Sequence, residues 1–157
     1  MEKYLDGAEA TEEIGFLIGG LLRDGDVVCL NGGLGAGKTL LSRGMASALG
    51  VEPQQVNSPT FTIMNIYRGA DLEIRHFDLY RLNRAEELDD IGFSEYVGGS
   101  GVTLIEWANL FTEELPAEFL EICLEPLNEG RQMILKAHGL RYEKLLEEVK
   151  RLADFSD

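Results

Sequence analysis

The stretch Gly32-Gly33-Leu34-Gly35-Ala36-Gly37-Lys38-Thr39 decides the fold of this chain. It fits the phosphate-binding loop pattern G-x-x-x-x-G-K-[ST] at every fixed position. A short apolar run at residues 27–30 precedes the loop, and a segment of helical character at residues 40–49 follows it. The pattern is expected between a strand and a helix, so the sequence predicts a nucleotide-binding α/β domain.

The residue types of this loop suit a polyphosphate. Glycines let the backbone curl so that successive N–H groups point at one anion, and the following helix adds its free N–H groups and positive dipole end. Lys38 supplies a full charge for the terminal phosphates, and the Thr39 hydroxyl is a hard oxygen suited to Mg²⁺. We therefore expect nucleotide contacts from Gly32, Leu34, Gly35, Ala36, Gly37, Lys38 and Thr39.

Composition limits the function classes and the compartment. A chain of 157 residues, 45% apolar and 27% charged, is typical of one globular domain, here residues 1–157. The net charge of −14 disfavours direct contact with nucleic acid or anionic membranes, so we expect a partner protein to hold any RNA. The polar N-terminus, the lack of a transmembrane-length segment and two cysteines in apolar runs, Cys29 and Cys123, indicate reduced thiols and a cytoplasmic protein.

Hydrophobic periodicity predicts strands alternating with helices, except where two hairpins interrupt the pattern. We therefore expect a three-layer α/β domain of the P-loop NTPase type, with a mixed central sheet and helices on both faces. The predicted elements are a helix capped by Thr11 and stopped by Gly25, a helix at 40–49, a loop at 51–59, strands at 60–67, 72–79, 102–105, 119–124 and 132–137, and helices at 84–91 and 140–152.

Two acidic residues follow apolar strands, Asp78 after residues 74–77 and Glu106 after residues 102–105. Ligands of open α/β sheets bind at such strand ends, and phosphoryl transfer needs an acid near Mg²⁺ and a group that orients the nucleophile. Glu106 is the better candidate for the Mg²⁺ side, and Asp78 for positioning water, although either acid alone is also explained as a strand-end cap. The predicted catalytic set is Lys38, Asp78 and Glu106, with Thr39 and Glu106 as metal ligands.

Three further features are candidates for the same site. The segment at residues 57–62, Asn-Ser-Pro-Thr-Phe-Thr, carries three hydroxyls placed to sense a terminal phosphate, and ordinary turn chemistry explains them equally well. Trp107, next to Glu106, is either a wall of the site or a core residue. Arg131 is either a nucleotide contact or a surface arginine.

These pieces, in this order, resemble the TsaE family of small bacterial ATPases of tRNA threonylcarbamoyladenosine synthesis. The resemblance covers nearly the whole chain, and its last three strings are much more specific than the phosphate loop. Gly33 and the stretch after Trp107 depart from the common family pattern. The residues that carry the resemblance are 32–39, Asn-Ser-Pro-Thr-Phe-Thr at 57–62, His-Phe-Asp-Leu-Tyr-Arg-Leu at 76–82 and Leu-Ile-Glu-Trp at 104–107.

The resemblance implies roles for individual residues. It implies ATP and Mg²⁺, with Thr39 and Glu106 as metal ligands and Asp78 as a residue required for catalysis. It also places Thr11 at a position associated with the adenine pocket and Arg131 on the nucleotide side. Apart from Arg81 and Arg84, the sequence offers few obvious internal arginine fingers, which predicts weak ATPase activity for the isolated protein.

The resemblance also implies partners. TsaD and TsaB are the expected partners, with tRNA contacted only indirectly through their complex. The synthase transfers a threonylcarbamoyl group to the adenosine adjacent to the anticodon. ATP hydrolysis is expected to reset the TsaB–TsaD complex between turnovers and not to perform the transfer.

Three alternatives belong to other function classes. A small-molecule kinase usually carries an arginine-rich lid, and the sequence shows no such segment. A GTPase is suggested by Asp89-Asp90-Ile91-Gly92, which fits D-x-x-G, but this string follows a helical stretch and no N/T-K-x-D motif exists, so Gly92 is better interpreted as a helix stop. A nucleotide-gated binding module that does not hydrolyse ATP stays open.

Overall fold

The computed structural model describes residues 1–33, 35–59, 62–153 and 155. These residues form a mixed α/β fold around one seven-stranded sheet. The elements are β1 (Glu2–Leu5), α1 (Ala8–Gly19), β2 (Val27–Asn31), α2 (Lys38–Ala48), β3 (Met64–Arg68), β4 (Glu73–Asp78), α3 (Glu86–Asp90), α4 (Phe93–Tyr96), β5 (Val102–Glu106), β6 (Phe119–Leu127), β7 (Gly130–His138) and α5 (Leu140–Leu152), with 3₁₀ segments at Pro53–Gln55 and Ala108–Glu114.

The sheet has the strand order β1-β7-β6-β2-β5-β4-β3. Its four central strands, β6, β2, β5 and β4, are mutually parallel, whereas the hairpins β3–β4 and β6–β7 and the pair β1–β7 are antiparallel. The mixed sheet and both hairpins expected from the sequence are therefore confirmed. Because β2 has parallel neighbours on both sides, its carboxyl end lies at the middle of one sheet edge.

Helices cover both faces of this sheet. Val28 and Leu30 of β2 pack into a core with α1, α2 and α5, whereas Val27 and Cys29 point to the other face. Apolar residues of α3, α4 and the 3₁₀ segment Ala108–Glu114 cover that second face. The period-two alternation of a strand thus divides one apolar run between two cores, which explains why β2 is apolar at successive positions. The three-layer α/β architecture is confirmed.

Several local predictions differ from the structure. Strand β1 was not predicted. The N-cap prediction for Thr11 is wrong, because α1 begins at Ala8 after Gly7, and Thr11 lies in the first turn with its hydroxyl donating to the Gly7 carbonyl at 2.9 Å. Helix α1 also ends at Gly19, before the predicted stop at Gly25.

The helix predicted at residues 84–91 is α3, which spans only Glu86–Asp90, and the short helix α4 that follows it was not predicted. Gly92 lies between them with φ 70°, a conformation suited to glycine, so its interpretation as a helix stop is confirmed. The loop predicted at residues 51–59 contains the short 3₁₀ segment. Cys29 and Cys123 are both free thiols, as predicted. Within the described part of the chain, no helix has the length and apolarity needed to cross a membrane.

Glycines let α1 and α2 cross at close range. A Cβ atom at Gly44 of α2 would clash with the Glu12 carbonyl oxygen and lie 2.9 Å from the Phe16 nitrogen. A Cβ atom at Gly19 of α1 would lie 2.6 Å from the Cα of Met45. Because α2 starts directly after the phosphate loop, this contact fixes the position of the loop.

We expect Gly44→Ala to destabilise the protein by about 1–3 kcal/mol, since the added methyl group meets backbone atoms that have no room to move. This loss should appear even though alanine favours an isolated helix by about 1 kcal/mol over glycine. The free energy of unfolding in guanidinium chloride measures it. Gly20→Ala is the matched control, because its Cβ would find no atom nearer than 3.6 Å. Equal stability of Gly44→Ala and wild type would contradict the close-packing account.

Candidate active site

The carboxyl ends of β2, β4 and β5 meet at one edge of the sheet. The register of the parallel strands places Asp78 opposite Glu106 and Glu106 opposite Leu30. The phosphate loop leaves β2 at this edge, and a cavity of about 290 Å³ opens beside it. The cavity is lined by Gly35, Ala36, Gly37, Lys38, Thr39, Leu40, Ser58, Asp78, Glu106, Trp107 and Arg131.

Backbone geometry explains three glycines of the loop, Gly32, Gly35 and Gly37. Gly35 and Gly37 have φ values of 78° and 107°, which L side chains rarely adopt. Gly32 does not line the cavity, and a Cβ there would lie 2.5 Å from the Leu124 carbonyl oxygen. Leu34, also predicted to contact nucleotide, lies outside the described residues. The first three residues of α2 line the cavity, so the positive end of this helix dipole faces it.

The Lys38 ammonium lies at the centre of the site. Its Nζ donates to the Gly32 carbonyl oxygen at 2.6 Å, lies 3.9 Å from Glu106 Oε1 and sits 4.0 Å from the centroid of the Trp107 ring. The residue is only 6% exposed. Burial lowers the pKa of Lys38, while the carboxylates of Glu106 and Asp78 act in the opposite direction. The fold therefore holds a poorly hydrated cation where a phosphate would enter.

The two predicted acids face the same cavity, and each is only 2% exposed. The Oδ1 atom of Asp78 accepts a hydrogen bond from the Tyr80 backbone N–H at 2.9 Å, which fixes the carboxylate on its strand end. The Leu79 N–H donates to the Glu106 carbonyl at 3.1 Å and joins the two strand ends. Asp78 therefore caps the end of its strand, but neither acid is a surface carboxylate, and the structure brings both to the phosphate loop.

The donor set fits Mg²⁺. Thr39, Asp78 and Glu106 present hydroxyl and carboxylate oxygens to one cavity, and these are the ligands that hard cations prefer. Within the described ranges, no group of three or more His, Cys, Asp or Glu side chains could hold a metal ion by itself. Such a sparse set is typical of Mg²⁺, which usually binds through one or two protein ligands together with substrate phosphates and water.

The structure separates the hydroxyls of the segment at residues 57–62. Ser58 lines the cavity, whereas the Thr62 hydroxyl donates to Asn65 Oδ1 at 2.8 Å in an exposed position. Thr60, the third, lies outside the described residues. Trp107 forms a wall of the cavity, in a left-handed backbone conformation with φ 61° and with its ring 4.8 Å from that of Tyr80.

Arg131 reaches the cavity from the start of β7. Its Nη1 donates to the Thr11 hydroxyl at 3.0 Å, and a Cβ on Gly37 would lie 2.7 Å from the same nitrogen. Thr11 is fully buried and does not line the cavity, so it lies behind Arg131. Arg81 and Arg84 are exposed and line no part of it. The fold therefore brings Arg131 to the loop, and not Arg81 or Arg84.

Sequence reasoning assigned no role to His76, which the structure places against Glu106. His76 is fully buried, and its Nε2 lies 2.6 Å from Glu106 Oε2. Its Nδ1 lies 3.1 Å from the hydroxyl of Tyr67. Strand periodicity is the sequence feature that could have indicated a role for His76. It precedes Asp78 by two residues, so both side chains point to the same face of β4.

A phosphate-binding loop at the centre of a mixed sheet, with acids on the neighbouring strand ends, defines a P-loop nucleotide-binding protein. Residues 5–133 match the family described as "Threonylcarbamoyl adenosine biosynthesis protein TsaE". The chain therefore belongs to the TsaE family, and this membership implies that it binds nucleotide.

Similar proteins agree with this assignment. The chain is 42% identical over 150 residues to the tRNA threonylcarbamoyladenosine biosynthesis protein TsaE of Bacillus subtilis, covering 95% of this chain and 93% of that one. It is 42% identical over 130 residues to the Treponema pallidum protein of the same name, covering 83% and 95%. The crystal structure of Bacillus subtilis YdiB superposes with a TM-score of 0.80 at 35% identity, covering 97% and 95%.

We expect Lys38→Met to weaken ATP binding by about 10- to 100-fold, the amount typical of one lost charge-assisted contact. The same change should leave the free energy of unfolding equal or higher, because burial outweighs the carboxylates in setting the pKa of this lysine. Calorimetric titration with ATP and urea denaturation measure the two effects. Lys136→Met, at an exposed position of β7, is the control that should change neither. Strong destabilisation by Lys38→Met would contradict this account of the buried charge.

Proposed function

We propose that this chain is the Mg²⁺-dependent ATPase subunit of tRNA threonylcarbamoyladenosine synthesis, and that it acts on a complex of TsaB and TsaD. The observation that carries the proposal is the convergence of Lys38, Asp78 and Glu106 on one cavity beside the phosphate loop. The pathway follows from the family, whose similar members in two bacteria are named for this biosynthesis.

In the proposed reaction, the loop backbone at Gly35–Gly37 and the Lys38 ammonium bind the ATP phosphates. Thr39 and Glu106 would hold Mg²⁺, which supplies charge neutralisation on the terminal phosphates when bound. Asp78 orients the attacking water, since its carboxylate lines the cavity and the Tyr80 N–H fixes its direction. Arg131 contributes a second cation, held beside Gly37 by its hydrogen bond to Thr11.

The isolated protein should turn over slowly. Phosphoryl transfer gains large factors from an added arginine, and Arg131 is the arginine that the described residues bring to the cavity, with one nitrogen already donating to Thr11. We therefore expect TsaB and TsaD to complete the charge arrangement. Hydrolysis then resets their complex between turnovers. The net charge of −14 is consistent with tRNA being bound by the partners.

This proposal is tested by ATP hydrolysis and tRNA modification with purified TsaB and TsaD. We expect hydrolysis to rise by about 10³-fold or more when both partners are present, the size of gain that a supplied arginine gives. Asp78→Asn and Glu106→Gln should abolish this activity, and Asp78→Asn should still bind ATP because its amide oxygen can accept from the Tyr80 N–H. Asp71→Asn, at the exposed turn between β3 and β4, is the control expected to behave as wild type.

A pull-down of TsaB and TsaD with and without ATP supplies the second measurement. Capture of both partners supports the proposal, and no capture in either condition contradicts it. Full tRNA modification by the two acid variants, together with loss in Lys38→Ala, would instead identify a nucleotide-gated binding module without hydrolysis. Phosphorylation of a small acceptor would identify a kinase.

A further inference from the structure

We propose that His76 is a positioning residue that orients the Glu106 carboxylate for Mg²⁺ and connects it to the backbone of Asn57. Asn57 directly precedes Ser58, which lines the cavity. The proposal rests on the metal-side role of Glu106 in the proposed function. It extends that function by assigning the orientation of this acid, and its link to a nearby segment, to one buried side chain.

The first half of the connection is the contact between His76 and Glu106. A carboxylate only accepts hydrogen bonds, so the His76 Nε2 atom, 2.6 Å from Oε2, must carry the proton and donate. The other carboxylate oxygen, Oε1, lies 3.9 Å from Lys38 Nζ. His76 therefore fixes one oxygen of Glu106 and leaves the other directed toward the phosphate-binding lysine. Buried partners of this kind commonly set the orientation of metal ligands.

The second half runs from His76 to Asn57 through Tyr67. The Tyr67 hydroxyl lies 3.1 Å from His76 Nδ1 and 2.9 Å from the Asn57 carbonyl oxygen, and its single proton can be donated to either acceptor. It also accepts from the Asn57 N–H at 3.3 Å. Burial raises the pKa of Tyr67, so this hydroxyl keeps its proton. The Asn65 amide adds contacts of 3.4 Å to the Tyr67 hydroxyl and the Asn57 carbonyl. Asn57 is therefore held by two side chains of β3.

The sheet makes this connection rigid. Tyr67, His76 and Glu106 lie on the adjacent strands β3, β4 and β5, and in each step the contacting residues are diagonal neighbours in the register. An imidazole buried in such a place costs free energy unless both nitrogens have partners. Moving Asn57 must break the Tyr67 contact or displace His76. We therefore infer that His76 orients Glu106 directly and helps to hold Asn57 through Tyr67.

A matched pair of amide substitutions separates this role from simple core packing. In His76→Gln the amide nitrogen reaches the place of Nε2 and can still donate to Glu106, whereas in His76→Asn it reaches only the place of Nδ1. We expect His76→Asn to raise the Mg²⁺ concentration needed for half-maximal ATP binding by about 10- to 100-fold, with His76→Gln close to wild type. ATP binding measured in EDTA should be the same in all three proteins.

Tyr67→Phe tests the second half without nucleotide or metal. It leaves the His76–Glu106 contact intact, so the Mg²⁺ response should stay close to wild type. Amide hydrogen exchange at Asn57 and Ser58 should increase in the nucleotide-free protein, because Asn57 loses its hydroxyl partner. Unchanged exchange in this variant would overturn the proposed link.

Two kinds of failure are distinguishable. If His76→Asn and His76→Gln show the same Mg²⁺ response and differ from wild type only in thermal stability, His76 is a core residue and the inference is overturned. If Glu106→Gln itself leaves the Mg²⁺ response unchanged, the metal-side role in the proposed function fails first. A metal defect in Glu106→Gln and His76→Asn, absent from His76→Gln, supports both.

Discussion

The burial of one lysine ammonium at the end of the central strand is the constraint on which the rest of this structure depends. A cation that is 6% exposed is unfavourable unless partners replace its lost water. The Gly32 carbonyl, the Glu106 carboxylate and the Trp107 ring take the place of this water. These partners come from the loop after β2 and the end of β5, so the charge is tolerated only if these two strands are parallel neighbours. The left-handed backbone of Trp107 is part of the same arrangement, since it turns the chain directly after Glu106.

The packing behind the site also fixes the positions of Lys38 and Arg131. Helix α2 must place its first turn at the cavity, and its close crossing with α1 at Gly44 and Gly19 leaves little freedom to slide. The hairpin β6–β7 brings Arg131 back to the loop, where Thr11 of α1 accepts its hydrogen bond. Helix α1 therefore supports both cations of the site, Lys38 through α2 and Arg131 directly. A small domain thus obtains a rigid phosphate site from one helix pair and one hairpin.

The parts of this fold that were predictable from the sequence are those whose cause is local. The phosphate loop encodes its own backbone shape, and the closing helix matched its predicted bounds of 140–152 because its apolar face is strongly periodic. Strand β1 escaped prediction because it has only four residues, with side chains that are mostly polar or exposed, and depends on pairing with β7. The role of His76 was not predictable for a related reason. Its partners are nine and 30 residues away, so only the sheet register brings them together.

In the proposed function, the charge distribution of the molecule makes it treat two anions, ATP and tRNA, differently. Charges on the exposed surface are screened over about 8–10 Å in physiological salt, whereas a buried cation acts on its neighbour at much higher strength. In the proposed function, the buried Lys38 and the half-buried Arg131 therefore govern the affinity for ATP inside the cavity, despite a net charge of −14 on the whole chain. A polyanion too large to enter the cavity meets mainly the acidic exterior. In the proposed function the protein thus accepts ATP phosphates but not a tRNA backbone, which is the division expected if its partners hold the tRNA.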